Sequence, residues 1–568
     1  MRQIGFKNFR RFADKHALTL GDVNLLVGGN NSGKSTVVKA LLLITENLRM
    51  LFRDSEYEMF LEDRDEDGKR TIKQYHPEFN FAPNILHNAL HIGTFERAIN
   101  VNTTEDYIIL SVCYGKFDIA VEVVRNKNDK NLPTSPIKKI VITDTSVDFT
   151  VTINYFTQSV NLTFRKNIAS EMSSDFFMIF SRFMSSEELN ANSELLSGPY
   201  SKEKLDNILR LAESKIDRRT GVNGVFGKMS KSIMERINEV IARISKDMEF
   251  SNSLDFSKGL SYDIRFEELM FSIPFVRGNR LRGFYHPAMR DRLQEEKNKE
   301  DVKTQYILSD TVSEYMHRLT RIIERLVETP LEYLYAHAVN QNTLYRINSQ
   351  NDYMSNTIQE FFCSNIKKNS KEDKFIRRWM TVFNIASDYE VQPVAGCEAY
   401  TVRIGEEGTD SEKWLNLAEK GMGSIQMMVL LFKIATLIKK YKSTSRDIGL
   451  RPVILIEEPE QNLHPSLQSK LADLFFEINE KYKIRFIVET HSEYLVRKAQ
   501  VLVGDMECTT QEETDEKNPF KVFYFPSNGV PYDMGMAPTG KFLQNFDEGF
   551  FDVAAKLNME VIRRERKK

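Results

Sequence analysis

The segment Gly-Gly-Asn-Asn-Ser-Gly-Lys-Ser at residues 28–35 is the feature that most constrains how this chain can fold. It follows an apolar run at residues 23–27 and precedes residues 36–51, where apolar side chains recur at helical spacing. A glycine-bearing loop between a strand and a helix, ending in Gly-Lys-Ser, is the Walker A pattern for phosphate binding. Its glycines let the backbone wrap phosphates, and the helix N-terminus adds a positive dipole. The sequence therefore predicts an α/β fold that binds a nucleotide.

This loop supplies most of the predicted nucleotide-binding residues. We expect Lys34 to reach the β- and γ-phosphates of ATP, and the Ser35 hydroxyl to bind Mg²⁺. The alternative is a glycine-rich turn that binds nothing, and the strand–loop–helix order argues against it. The predicted residues are Gly28, Asn30, Asn31, Ser32, Gly33, Lys34, Ser35 and Thr36.

A second apolar run, at residues 453–456, ends in the carboxylates Glu457, Glu458 and Glu460. A buried parallel strand that holds Mg²⁺ and water at its carboxyl end has this pattern. We expect Glu457 to hold the metal and Glu458 to act as the catalytic base that activates the attacking water. The usual metal-holding residue here is Asp, so Glu457 departs from the pattern. A solvated acidic turn after a core strand is the alternative.

His491 follows a third apolar run, at residues 486–488, in the sequence Glu-Thr-His-Ser. A neutral histidine at a strand end can hydrogen-bond the γ-phosphate and report its presence. We predict this catalytic role because the strand is expected beside the one that ends at Glu457. A structural histidine is the alternative.

Residues 417–426, Leu-Ala-Glu-Lys-Gly-Met-Gly-Ser-Ile-Gln, precede a long predicted helix. Two glycines and a serine at a helix start form an anion-binding cap. Because the chain already has one phosphate loop, a second implies a composite nucleotide site. An ordinary glycine-rich helix cap is the alternative. The residues predicted to bind nucleotide here are Gly421, Gly423, Ser424 and Gln426.

The overall charge and the cysteines argue against several classes of protein. Lys plus Arg total 78 and Asp plus Glu total 80, so nucleic-acid binding would require a local basic patch. Four scattered cysteines form neither a zinc pattern nor a disulfide framework, as expected in a reducing cytosol. The chain opens with charged residues rather than a secretory signal, and its longest apolar stretch, residues 427–438, is too short to span a bilayer. We therefore expect a cytoplasmic protein without a membrane segment.

The two halves of a nucleotide-binding unit lie at opposite ends of the chain, so the middle is predicted to be an insertion. Runs of β-branched and aromatic residues between 105 and 165 predict antiparallel strands, and residues 170–250 and 295–385 have helical patterns. The predicted units are residues 1–50, the first half of the nucleotide-binding head; 51–165, a charged loop and an antiparallel β subdomain; 166–400, a mainly helical insertion; and 401–568, the second half of the head.

Together the motifs resemble the AAA-15/OLD-like branch of ABC-type ATPases, which is related to RecF and SMC heads. The resemblance covers roughly residues 1–50 and 400–568. Its motifs are Phe-Lys-Asn-Phe-Arg-Arg-Phe at 6–12, the phosphate loop, Glu-Glu-Pro-Glu-Gln-Asn-Leu-His-Pro at 457–465 and Glu-Thr-His-Ser-Glu-Tyr-Leu at 489–495, with weaker landmarks at 285–292 and 545–552. The resemblance implies an α/β, ABC-type P-loop ATPase head with an antiparallel β subdomain and a large, mainly helical insertion.

The resemblance also implies an activity and partners. Members of this branch bind Mg²⁺-ATP and pair through their heads, so we expect a slow, regulatory ATPase that forms a homodimer or a higher even oligomer. Many serve in prokaryotic anti-phage systems such as Septu, PARIS and some retrons, where the ATPase scaffolds, senses for or restrains a separate toxic effector. The Toprim nuclease domain of OLD nucleases is not expected, because too little chain follows His491.

A RecF-like DNA-binding ATPase in DNA repair is the main alternative. A transporter ATPase is disfavoured, because the large insertion does not resemble the compact helical subdomain of that class. Charge runs are more often solvated faces than binding sites, so contact with DNA or RNA stays open. The basic residues that could make such contact are Arg277, Arg280, Arg282, Arg290 and Arg292 in one group, and Lys215, Arg218, Arg219, Lys228 and Lys231 in another.

Overall fold

The computed structural model describes both ends of the chain almost completely and part of its middle. The landmark at 285–292 and both basic groups, apart from Lys215, lie outside the described residues. The described residues are 1–57, 62–64, 70–72, 76–83, 92–166, 176, 179–180, 184, 186–196, 201–217, 233–242, 244–245, 259–266, 273–276, 310–336, 339–349, 352–394, 396, 398–410, 413–441, 451–547 and 551–565.

A six-stranded sheet carries the strands of the phosphate loop, the paired glutamates and His491. It is parallel except at one edge, and the strands of the two C-terminal motifs are direct neighbours, which confirms the predicted adjacency. From one edge to the other, its strands are β13 (Leu331–Leu334), β18 (Val453–Glu457), β19 (Arg485–Glu489), β3 (Val23–Gly28), β20 (Phe520–Phe525) and the antiparallel β21 (Tyr532–Asp533).

A second, antiparallel sheet has nine strands in the described part of the chain. Side chains alternate between buried and partly exposed along its middle strands, as in a sheet with one face in the core. The hairpins predicted between residues 105 and 165 are confirmed. The strands run in the order β12 (Leu260–Arg265), β11 (Ser159–Phe164), β10 (Phe149–Asn154), β9 (Thr134–Asp144), β8 (Phe117–Val124), β7 (Tyr107–Tyr114), β1 (Gln3–Lys7) and β2 (His16–Thr19), with β6 (Glu78–Asn80) paired to β9.

Two smaller sheets complete the described strands. One contains β14 (Tyr345–Arg346), β16 (Ala399–Gly405), β15 (Asp388–Pro393) and β17 (Leu415–Asn416), and the other contains β4 (Glu62–Arg64) and β5 (Arg70–Ile72).

The helices come mainly from the two ends of the chain and from the predicted insertion. Residues 233–242 are also helical. The helices are α1 (Lys34–Tyr57), α2 (Phe95–Ala98), α3 (Ser186–Ala191), α4 (Ser193–Leu196), α5 (Lys202–Asp217), α6 (Asp310–Val327), α7 (Tyr353–Cys363), α8 (Lys371–Val382), α9 (Met422–Tyr441), α10 (Pro465–Gln468), α11 (Lys470–Tyr482), α12 (Glu493–Gly504), α13 (Gln511–Lys517) and α14 (Val553–Glu565).

The parallel sheet is buried on both faces. Val453 and Leu455 of β18 belong to a core shared with α1, α6 and the antiparallel sheet. Ile454 and Ile456 face a second core, built with α7, α8, α9, α11 and α12. Because both faces are covered, these strands are continuous apolar runs in the sequence rather than alternating ones.

The described part of residues 170–250 is helical and has a core of its own. The buried side chains of α5 pack with Phe176, Phe180 and Ile237 rather than with either large sheet. The helical pattern predicted for this region agrees with the structure wherever the chain is described.

Two short segments of the region predicted to be helical, Leu331–Leu334 and Tyr345–Arg346, are strands in the structure. The helical pattern predicted over 295–385 matches α6, α7 and α8, but Leu331–Leu334 is a strand that pairs in parallel with β18. A four-residue segment has too little local pattern to compete with tertiary pairing. The antiparallel sheet also crosses the boundary drawn at residue 50, because β1 pairs with β7.

Helix α9 is, within the described residues, the one helix long and apolar enough by composition to cross a membrane. It contacts α7 and α8 in the second core, and most of it is buried inside the protein. Lys433, which interrupts its apolar run, is buried between the carboxylates of Glu332, at 2.7 Å, and Glu360, at 2.6 Å.

Candidate nucleotide site

The phosphate loop requires glycine at two positions. Gly28 has a φ of +155° and Gly33 a φ of +102°. Residues that carry a side chain rarely adopt such backbone conformations. A Cβ on Gly28 would lie 2.4 Å from the carbonyl oxygen of Phe525 on β20, and a Cβ on Gly33 would lie 2.4 Å from Cδ of Arg11. Gly28 has no room for a side chain, because a Cβ there would meet backbone, whereas at Gly33 the positive φ is the main reason for a glycine, since the Arg11 side chain could move.

Lys34 begins α1, and its side chain is almost completely buried. Its ammonium donates hydrogen bonds to the carbonyl oxygens of Gly28, at 3.0 Å, and Gly29, at 2.9 Å. It also lies 3.8 Å from a carboxylate oxygen of Glu489. Burial lowers the pKa of Lys34, and Glu489 is the foremost of the carboxylates that oppose this shift. The cation is therefore held at the loop backbone, next to an acidic strand end.

Ser35 and Ser32 present their hydroxyl groups in two different settings. The Ser35 hydroxyl donates a hydrogen bond to Oε1 of Glu489 at 2.9 Å. The Ser32 hydroxyl is buried and has no hydrogen-bond partner among the described residues. Of the other predicted loop residues, Asn30 and Asn31 are exposed and Thr36 is buried.

Glu457 ends β18, and the strand register sets it level with Glu489 at the end of β19. Its Oε2 accepts a hydrogen bond from the backbone N–H of Ala336 at 3.3 Å, and the hydroxyl of Tyr333 also donates to its carboxylate. Burial, and then Glu457, raise the pKa of Tyr333, so its hydroxyl keeps its proton and remains a donor. Glu457 is thus oriented by partners on β13 and the residues after it.

Glu458 has a left-handed backbone conformation, with a φ of +45°. Its N–H donates to the carbonyl oxygen of Glu489 at 2.8 Å, and the Gln461 amide donates to its Oε2. Its Oε1 lies 4.0 Å from Nε2 of His491. A non-glycine residue in this conformation costs roughly 1–2 kcal/mol. These two hydrogen bonds hold the turn that brings the carboxylate opposite the histidine.

His491 lies at the edge of the site with its ring partly exposed. Its backbone N–H donates to Oε1 of the buried Glu460 at 2.6 Å. Burial and the Lys34 ammonium lower the pKa of His491, while Glu458 opposes the shift. The imidazole is therefore neutral at pH 7 and carries one N–H that can donate to a phosphate oxygen.

Residues 417–426, called the signature segment from here on, end at the start of α9 and contact the turn that begins at the paired glutamates. The Gln426 amide donates to the carbonyl oxygen of Glu458 at 3.4 Å. A Cβ on Gly423 would lie 2.5 Å from the carbonyl oxygen of Asn462. Gly421 is exposed, Ser424 is half-buried, and no hydrogen bond between described residues joins this segment to the phosphate loop. The structure therefore brings this segment against the turn after β18, but not to the phosphate loop.

The chemistry of these residues fits Mg²⁺-ATP. Within the described ranges, no group of three or more His, Cys, Asp or Glu could hold a metal ion by itself. Mg²⁺ with a nucleotide does not need one, because it usually takes one or two protein oxygens and completes its shell with phosphates and water. Ser35 and Glu457 offer hard oxygen ligands, and Lys34 and the loop N–H groups suit phosphates.

Comparison with known families agrees with this chemistry. A family model described as AAA ATPase domain matches residues 1–496. The chain belongs to this AAA_15 family. It is an ATPase with an α/β fold, and ATPases of this kind bind nucleotide, usually with Mg²⁺. A comparison with curated proteins found no significant match.

Solved structures similar to this AAA_15 ATPase include two SMC heads and a RecF. The Smc head domain of Pyrococcus furiosus, with an extended coiled coil and bound to the C-terminal domain of ScpA, is 10% identical with a TM-score of 0.29, over 100% of this chain and 99% of that one. The Thermotoga maritima SMC head domain is 10% identical with a TM-score of 0.27, over 94% and 98%. RecF with ATP, from the RecFOR pathway, is 12% identical with a TM-score of 0.24, over 94% and 98%. Similarities this weak carry no argument about function.

In this AAA_15 ATPase, Arg11 also contacts the phosphate loop, although its role was not predicted from the sequence. Its guanidinium donates to the carbonyl oxygens of Ser32, Pro526 at 3.3 Å and Gly529 at 3.2 Å. It therefore ties the phosphate loop to the segment after β20. The motif Phe-Arg-Arg-Phe at 9–12 showed two arginines, but nothing in the sequence indicated which one the loop contacts.

Glu489 and Tyr333 were also missed. Glu489 was visible as a carboxylate at a strand end, two residues before His491, and that pattern could have identified it. Tyr333 lies in a segment whose strand was not predicted, so no local pattern indicated its contact with Glu457.

Proposed function

We propose that this chain is an ABC-type ATPase that hydrolyses Mg²⁺-ATP slowly, forms a head-to-head homodimer around the nucleotide, and uses that dimer to control a separate effector protein. The proposal is carried by one observation: Lys34, Ser35, Glu458 and His491 converge at the carboxyl ends of neighbouring parallel strands. That edge of an α/β sheet is where such folds bind ligands.

The phosphate loop and Glu457 would bind the Mg²⁺-nucleotide. Lys34 and the loop N–H groups would hold the β- and γ-phosphates, with Ser35 and Glu457 as the metal-holding residues. When bound, Mg²⁺ supplies positive charge to the phosphate oxygens. Tyr333 and the N–H of Ala336 keep the Glu457 carboxylate in one orientation.

Hydrolysis would use Glu458 and His491. The Glu458 carboxylate would accept a proton from water as the water oxygen bonds to the γ-phosphorus and the bond to the ADP oxygen breaks. The neutral imidazole of His491 would donate a hydrogen bond to a γ-phosphate oxygen. Their separation of 4.0 Å allows both groups to serve one phosphate. The products are ADP and phosphate.

The shared site rests on the signature segment. Gly421, Gly423, Ser424 and Gln426 form a helix start rich in small residues, yet none of them hydrogen-bonds the phosphate loop of the same chain in the described structure. A second copy, related by a two-fold axis, would bring its own helix start over the nucleotide and receive the same contact in return.

Glu458→Gln tests the catalytic assignment. The amide keeps the size of the side chain but cannot accept the proton, so we expect ATP binding to persist while hydrolysis falls about 100-fold or more. ATP should then hold the variant as a dimer in multi-angle light scattering. The control is Glu513→Gln, the same change beside Lys517 on α13, which should hydrolyse ATP like the wild type. Wild-type turnover in Glu458→Gln would show that another residue is the base.

The effector-control part of the proposal is supported by the resemblance to ATPase subunits of Septu, PARIS and retrons, and by the separate helical core in residues 176–244. Its test is co-purification with the products of neighbouring genes. A stable complex with a nuclease or another toxin is expected. If none of those products binds, this part fails, and hydrolysis stimulated by DNA at low salt would favour the RecF-like alternative.

A further inference from the structure

Glu489 lies on the strand between β18 and β3 in the parallel sheet, and none of the roles proposed above uses its side chain. It ends β19, where the register sets it level with Glu457 on β18 and with Leu26 on β3. It is therefore the carboxylate nearest in the sheet to the strand that leads into the phosphate loop.

One oxygen of Glu489 is engaged with that loop. Oε1 accepts the hydrogen bond from the Ser35 hydroxyl at 2.9 Å and lies 3.8 Å from the Lys34 ammonium. Ser35 is the proposed metal ligand and Lys34 the proposed phosphate ligand, so one carboxylate oxygen contacts both.

The other oxygen of Glu489 is buried without a partner. Oε2 has no hydrogen bond to any described residue, and the whole side chain is only 8% exposed. Buried polar atoms in proteins are nearly always hydrogen-bonded, so an unpartnered carboxylate oxygen beside a ligand site calls for a ligand-side partner.

Glu457, by contrast, already has its partners. Its carboxylate receives hydrogen bonds from Tyr333 and from the N–H of Ala336, on the side of β13. Of the two level carboxylates, the one that touches the phosphate loop is Glu489.

We infer that Glu489 is a further residue of the Mg²⁺-nucleotide site, with Oε1 orienting the Ser35 hydroxyl toward the metal and Oε2 accepting hydrogen bonds from the water ligands of Mg²⁺. The inference rests on the proposed function. Glu489 acts through Ser35 and water, so it is a positioning residue, and it makes nucleotide binding depend on the metal. Without Mg²⁺ its charge opposes the triphosphate, and with Mg²⁺ the same charge is favourable.

The measurement is the affinity for ATP by titration calorimetry, once with Mg²⁺ and once with excess chelator. The ratio of the two affinities is the gain in ATP affinity that Mg²⁺ provides, called the gain below. We expect Glu489→Gln to bind metal-free ATP more tightly than the wild type and to lower the gain about tenfold. Glu513→Gln, which removes the same charge from an exposed pair with Lys517, should leave the gain at its wild-type value.

Each outcome is decisive. An unchanged gain in Glu489→Gln, with cooperative melting, overturns the inference, and so does a gain lost only in Glu457→Gln. If Glu489→Gln melts below the assay temperature, Glu489→Ala replaces it under the same criterion. A wild-type protein that binds no ATP under either condition would instead refute the proposed function.

Discussion

At the scale of single residues, the site is a buried cation among carboxylates. Lys34 is held by two loop carbonyls and lies beside Glu489, while Glu458 and Glu460 add further negative charge nearby. One ammonium cannot balance these groups and a triphosphate together. A divalent cation would supply the missing positive charge, so the phosphate contact proposed for Lys34 would depend on it.

Lys34→Ala should weaken ATP binding about 10- to 100-fold, because a hydrogen bond to a charged group is worth about 1.5–3 kcal/mol. The measurement is ATP affinity in the presence of Mg²⁺. The matched control is Lys517→Ala, which removes an exposed lysine paired with Glu513 on α13. Equal affinity of Lys34→Ala and the wild type would exclude Lys34 as a phosphate ligand.

At the scale of elements, the start of α9 packs on the segment that follows β18. Gly423 lies against the backbone of Asn462, and Gln426 bonds the backbone of Glu458. The helix that carries the signature thus contacts the residues around the proposed base in the same chain. Small residues are needed at this contact, because a Cβ at Gly423 would meet backbone rather than a movable side chain.

Gly423→Ala should lower the stability of the head by about 1–3 kcal/mol, the usual cost of forcing extra volume into a packed contact. The measurements are the free energy of unfolding and the melting temperature. Gly421→Ala is the structural control, since a Cβ at Gly421 would meet nothing within 4 Å among the described residues.

The sign of the difference between these two glycine variants is the informative result. Gly421 is the residue just before α9, where glycine is a better helix cap than alanine, so Gly421→Ala should cost about 1 kcal/mol or less, and less than Gly423→Ala. If Gly423→Ala were equally stable, the packing of α9 on Asn462 would not be the reason for a glycine there.

At the scale of the whole molecule, the two ends of the chain build one sheet. Strand β3 from the N-terminal end lies between β19 and β20 from the C-terminal end. The signature segment is in the same C-terminal part, but no hydrogen bond between described residues links it to the phosphate loop. Under the proposed function, the corresponding segment of a second copy would complete the site.

Mixing two inactive variants tests that arrangement. Lys34→Ala removes the phosphate contact and Ser424→Arg blocks the signature, so each should be inactive alone. In an equal mixture, half of the dimers are mixed and each keeps one intact site, so we expect up to about a quarter of wild-type hydrolysis. A mixture no more active than the sum of its parts would contradict a shared site. Two differently tagged wild-type preparations serve as the exchange control.

The elements with strong local patterns were predicted well. The runs at 23–27, 453–456 and 485–488 are strands, and the hairpins between 105 and 165 have the expected pairing. A strand buried on both faces must be apolar throughout, and a one-faced strand must alternate, so both leave a signal in the sequence. The strand at Leu331–Leu334 left none, because it is short and depends on β18 for its hydrogen bonds.

The sequence by itself determined that this chain has a phosphate loop, a paired-glutamate strand end and a histidine strand end, because each is a local pattern of a few residues. Only the tertiary structure decided how they meet. The register of β18, β19 and β3 sets Glu489 beside Glu457 and turns it toward Ser35. That contact joins residues more than 450 positions apart. Local spacing cannot encode such a contact, because it arises from the pairing of strands from opposite ends of the chain.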